Sequence, residues 1–156
     1  MNTVSNGHAI RELNQIIGIA RDGHEIYAKA VAGVQMHDPQ LSALMMRMAA
    51  SKTQIVAGVT RLVRDAGGQP ARHGTLAGSV RGCFGWLGTV LGDAGIQYVS
   101  ESQAAEARLM RALEASVRDG ALPPQARRTL NGMLLETRLC WDDMRQQLET
   151  LRERET

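Results

Sequence analysis

Aromatic residues are scarce in this chain: one Phe, two Trp and two Tyr, 3% of 156 positions. A core with so few rings must be assembled from Leu, Ile, Val, Ala and Met, which pack more readily between helices than between sheets. Cysteine is equally sparse. Cys83 and Cys140 form no CxxC pair and no metal-ligand spacing, which leaves two reduced, small hydrophobes and excludes a disulfide scaffold. The four prolines all fall between periodic stretches, where helices end. No run approaches the ~18 apolar residues of a membrane span, and the opening MNTVSNGH lacks the apolar core of a signal peptide. The net charge of +2 is too small to imply nucleic acid. Arg64, Arg72, His73 and Arg81 make one segment mildly basic, but no aromatic residues interleave with them. These absences point to a single cytoplasmic all-α domain spanning 1–156.

Four long apolar seams are present. Helix 1 is expected over about 8–34, capped by Ser5 or Asn6, with the seam Ile10, Leu13, Ile17, Ala20, His24, Tyr27, Val31, Val34. Asp38-Pro39 then supplies an N-cap with proline at the first helical position. Helix 2, about 39–66, carries Leu41, Met45, Met48, Lys52, Ile55, Val59, Leu62 and Ala66, and stops at Gly67-Gly68. Within it, Leu44–Met48 reads as core with one exposed Met. Helix 3, about 94–118, places Ile96, Val99, Gln103, Glu106, Met110, Leu113 and Val117 on one face. Leu122-Pro123-Pro124 opens helix 4, about 123–152, with Leu130, Leu134, Thr137, Trp141, Met144, Leu148 and Leu151. The shallow 3/4 spacing suits near-parallel packing in a bundle.

The connection over 67–93 far exceeds the usual 2–8 residues between bundle helices. Its middle, Leu76–Leu91, mixes four glycines with Val80, Cys83, Phe84, Trp86, Leu87 and Val90. It reads as a short, poorly formed helix covering a groove or an end of the bundle. A connection of this length lets helices 2 and 3 run parallel, so the expected fold is a ferritin-like four-helix bundle with a long crossover.

Each seam is interrupted by polar residues near its midpoint: His24 and Glu25, Lys52, Gln103 and Glu106, Glu136 and Thr137. Helices of about 26 residues span roughly 39 Å, so these midpoints can meet in one central polar layer. Di-iron bundles put their metals there, using one Glu from each of two helices and Glu-x-x-His from each of the other two. That motif is missing. The middle of helix 2 reads Ala49-Ala50-Ser51-Lys52-Thr53-Gln54, and Glu136 is followed three residues later by Leu139. An ammonium at Lys52 would compensate carboxylates and repel a divalent ion. Lys52 is therefore expected to be buried and paired with Glu25, Glu106 or Glu136. His8, His37 and His73 lie at helix ends or in connections and read as solvated.

Arg21–Tyr27, Leu62–Gly68 with Pro70, Leu76-Ala77-Gly78 and Leu122-Pro123-Pro124 resemble a bacterial family of ferritin-like four-helix bundles of unknown function. Members similarly carry Asp-x-x-Glu-x-Tyr in helix 1, Gly-Gly-x-Pro after helix 2 and a Ser/Thr-Leu/Val-Ala-Gly turn in the crossover. The resemblance also implies a basic residue at position 52 and Glu at 106. This chain departs from it at Trp141-Asp142, where relatives often have His-Asp, and at Gly58, where they often have Glu. Both departures argue against metal chemistry.

The residues thus point to a non-catalytic bundle acting through its surface as a structural or interaction module, and expected to be a homo-oligomer. No cofactor is expected, and no stoichiometric iron, manganese or zinc. Two other readings stay open. One is a metal-binding oxidoreductase or metal-handling protein using Glu25, Glu106, Glu136 and His24 with iron or another divalent ion. The other is a carrier of a small apolar ligand in a Met-lined groove under the crossover.

Overall fold

A computed structural model describes residues 3–34, 38–75 and 94–154, the side chains of 3–5 and 94 excepted. These residues form four helices and no strand: α1 (Thr3–Val34), α2 (Pro39–Asp65), α3 (Ala94–Arg118) and α4 (Pro124–Arg154). The glycine-rich stretch 76–93, with the helix expected in it, lies outside the described residues.

The helix ends follow from local chemistry. Asp38 adopts extended backbone and its carboxylate accepts the Leu41 N–H at 2.9 Å, capping α2 just before Pro39. At the other end Gly67 has φ +79, a left-handed conformation glycine adopts without strain. Its N–H reaches Arg64 O and that of Gly68 reaches Val63 O, both at 2.9 Å, which is the Schellman closure of a helix. The expected cap of α1 at Ser5 or Asn6 is corrected: α1 already runs at Thr3, and Asn6 sits inside it. There its side-chain amide donates to Ala66 O across to the end of α2, at 3.0 Å.

Asn6 begins a ladder. Past Gly67 the chain folds back along α1, where Asn14 donates to Gln69 O and accepts from Ala71 N. Asp22, eight residues further along α1, accepts from the Thr75 backbone N–H and hydroxyl. Two glycines permit this close approach. A Cβ at Gly68 would lie 2.7 Å from Ile10 Cγ2, and one at Gly74 would collide with the Asp22 carboxylate.

The buried residues divide into two apolar clusters. One joins Leu13, Ile16 and Ile17 of α1 with Ile55, Val59 and Val63 of α2, Leu109 and Leu113 of α3, and Leu130 and Leu134 of α4. The other joins Tyr27, Ala30 and Val34 with Leu41, Met45 and Met48, then Val99, then Cys140, Met144 and Leu148. The clusters are met in the same order by α1 and α4 and in the reverse order by α2 and α3. Hence α2 and α3 run in one direction, and α1 and α4 in the other. The neighbouring pairs are α1 with α2, α3 with α4, α1 with α3 and, more lightly, α2 with α4. Lys52 on α2 and Glu106 on α3 therefore face each other across the diagonal of the bundle, in the gap between the two clusters.

Candidate functional site

That gap is polar. Lys52 Nζ donates to Glu106 Oε2 at 2.7 Å, and each residue is only 1% exposed. The second oxygen of the same carboxylate accepts the Tyr27 hydroxyl at 2.6 Å. Charge and hydrogen-bond partners thus come together, which buried ions require. Gly23 lies alongside this pair: a Cβ placed there would stand in ordinary contact with the Lys52 stem, at 3.6 Å, so α1 passes close to the lysine where its chain crosses the core.

A second pair closes the α2–α4 side. Ser51 donates its hydroxyl to Glu136 Oε1 at 2.7 Å, half-buried. Thr137 is fully buried and returns its hydroxyl to Met133 O in its own helix at 2.8 Å. Ser102, also buried, points its hydroxyl at Met45 Sδ, 3.8 Å away. Cys140 is buried beside this layer, and burial pushes its thiol above the ordinary value of 9.0. Nearby Lys52 works the other way without reversing the shift. Tyr27 is held well above 10.0, first by burial and then by the Glu106 charge.

The structure therefore brings Lys52, Glu106, Glu136 and Thr137 to the centre, and not every residue read from the seams. His24 is half-buried and Glu25 is exposed. The inward position on α1 is Gly23, and the hydroxyl that reaches the layer is that of Tyr27. On α3 Gln103 is half-buried and Ser102 is the buried residue beside it. On α4 Cys140 takes the inner place given to Trp141, whose ring instead lies 5.8 Å from the Arg145 guanidinium. In each case a small residue occupies the core position and its larger neighbour turns outward.

These residues do not fit a di-iron centre or its relatives. Both oxygens of Glu106 are engaged, one of them by an ammonium, and a divalent ion there would face Lys52 at close range. Position 58 offers no ligand, and the Met133 methyl group stands where a Cβ there would lie. Nor do the described residues of the layer include an activated nucleophile. The Cys140 thiol is pushed away from its thiolate form, and neither the Tyr27 nor the Ser51 hydroxyl is paired with a histidine.

The fold and its centre define a four-helix bundle joined across its diagonal by a buried lysine–glutamate pair. The chain belongs to the family described as a domain of unknown function, DUF2383, whose model matches residues 8–119. That span holds Tyr27, Lys52 and Glu106 and ends before α4. No curated protein and no solved structure matches the chain.

Proposed function

We propose that this chain is a non-catalytic, ferritin-like bundle of the bacterial type that its sequence resembles, acting as a cytoplasmic structural or interaction module. In this reading it works as a homo-oligomer, and an ion-paired layer stands where a ferritin-like protein would hold metal. The observation that carries the reading is the 2.7 Å Lys52–Glu106 contact at 1% exposure, with Tyr27 on the remaining carboxylate oxygen. Supporting it, the carboxylate of Glu25, which a metal centre would need, is exposed. Among the described residues no helix is long and apolar enough to cross a membrane.

Removing one member of a buried pair strands the other charge and typically costs about 3–5 kcal/mol. Lys52→Met should therefore lower the urea midpoint strongly, and Lys52→Met with Glu106→Gln should recover part of the loss. A single variant that unfolds at the parent's midpoint would mean that the pair is not a structural element, and the reading would fail. Metal analysis of protein purified without chelator or tag provides the second measurement. Stoichiometric iron, manganese or zinc that disappears on Glu106→Ala would refute the reading and promote the metal-dependent alternative.

A further inference from the structure

Where α1 begins and α3 stops, three side chains converge that the central layer does not use. His8 and Glu12 stand one turn apart on α1, and Asp119 directly follows α3. The sequence alone reads His8 as solvated. In the fold its Nε2 lies 3.4 Å from Glu12 Oε1 and 3.6 Å from Asp119 Oδ2, and the three ligand atoms are all within 4.8 Å of one another. These separations are long for hydrogen bonds. The shorter one matches two donors on one ion, since ligands at about 2.0–2.1 Å in tetrahedral geometry stand roughly 3.3–3.4 Å apart, and the longer exceeds that only slightly.

Two further observations point the same way. Glu12 Oε2 and Asp119 Oδ2 are shut off from water and accept no hydrogen bond among the described residues. The other Asp119 oxygen is fixed by the Ala121 N–H at 2.9 Å, which sets the orientation of that carboxylate. Independently, Ser116 is 1% exposed and its hydroxyl has no partner. Together with Glu12 it lines a cleft of about 340 Å³ between α1 and α3, which Arg108 and Arg111 line as well, so an ion would sit at the Glu12 end. Ser116 precedes Asp119 by three residues, so the two lie along one side of the chain. Hidden acceptors without partners are costly, and a cation held by Glu12 and Asp119 supplies what those two carboxylates lack.

We propose that His8, Glu12 and Asp119 form a binding site for a zinc-class divalent cation, with water completing its coordination. An imidazole among the ligands favours zinc over magnesium or calcium, which prefer oxygen alone. The bound ion ties the start of α1 to the turn between α3 and α4. This site makes no use of the Lys52–Glu106 pair.

The test uses the full chain, stripped with chelator and dialysed into metal-free buffer. Zinc chloride titrated by calorimetry should saturate at one ion per chain and raise the melting temperature, because it binds only the folded form. Magnesium chloride at the same concentration should do neither. His8→Ala alters a side chain that is 55% exposed, so the variant should keep its helical spectrum. It should weaken zinc binding by at least the roughly tenfold that loss of a mere outer-shell partner costs metal sites, and Asp119→Asn should do likewise. Absence of saturable zinc binding in the parent overturns the site, as does binding that His8→Ala and Asp119→Asn both leave unchanged. Zinc lost on Glu106→Gln but kept on His8→Ala would overturn this site and the central ion pair together, whereas a parent without zinc affinity would overturn this site alone.

Discussion

Tyr27 couples the central charge to pH. Its hydroxyl donates to Glu106 at 2.6 Å inside the core, and burial together with the Glu106 charge holds its pKa well above 10.0. The unfolded chain releases this proton near the ordinary tyrosine value, while the folded chain retains it. Above pH about 10 the unfolded state therefore binds fewer protons, and stability falls as pH rises; below that value the contribution is whole. Urea unfolding measured between pH 8 and about pH 11 should show this loss, on top of smaller ones from Cys140 and other groups. Tyr27→Phe should be less stable than the parent at neutral pH, since Glu106 loses a donor, yet lose less on going alkaline. An identical alkaline slope in parent and variant would mean that Tyr27 does not carry the effect.

At the scale of elements, the return strap over 66–75 is held by α1 side chains and not by a regular ladder. Asn6, Asn14 and Asp22 recur every eight residues, and each meets the strap where its backbone would otherwise need water. Eight residues of helix rise about 12 Å, a distance that an extended chain covers in about four residues. The partners accordingly advance through Ala66, then Gln69 and Ala71, then Thr75. Asp22 is 2% exposed, and its removal takes away the acceptor that the Thr75 backbone N–H and hydroxyl both use. Asp22→Ala should speed amide exchange at Thr75 and cost about 0.5–1.5 kcal/mol, while exchange in the middle of α4 follows global stability alone. Unchanged protection at Thr75 would show that the strap is held by something other than Asp22.

At the scale of the molecule, the polar layer separates two apolar clusters and requires all four helices to be in register. Sliding α2 by one residue would carry Lys52 out of line with Glu106, so the pair selects one arrangement among several of similar apolar burial. The outer face carries its own signal. Leu135 and Leu139, one turn apart on α4, are 61% and 66% exposed. They lie beside Arg138, which pairs with Glu114 at 2.9 Å. If the homo-oligomer proposed above uses this stripe, Leu135→Glu with Leu139→Glu should shift sedimentation toward the monomer without altering the helical spectrum. A parent that sediments as a monomer at all concentrations would dispose of the homo-oligomer.

Much of this was legible in the residues. The four helices follow from apolar periodicity, from Asp38-Pro39 and from Gly67-Gly68, because caps and seams are local chemistry. The Leu44–Met48 reading is also met, with Met45 and Met48 buried and Met46 exposed. Lys52 and Glu106 stood out because a charge in an apolar stripe is a visible anomaly. On α1, α3 and α4 the inner position lies one residue from the one the seam predicts, at His24, Gln103 and Trp141. A seam counted by apolar size passes over Gly23, Ser102 and Cys140, and an ideal helix drifts about 20° per heptad against a 3.5-residue repeat. Which neighbour turns inward is decided by how the facing helices pack: Gly23 faces the Lys52 stem, and His24 stands half-buried beside it. The same holds for His8, whose approach to Asp119 joins residues more than a hundred positions apart. Sequence by itself determined where the helices start, stop and turn a face to the core. Only the tertiary structure decided which polar groups meet, because that depends on the distance between chains and not on the order within one.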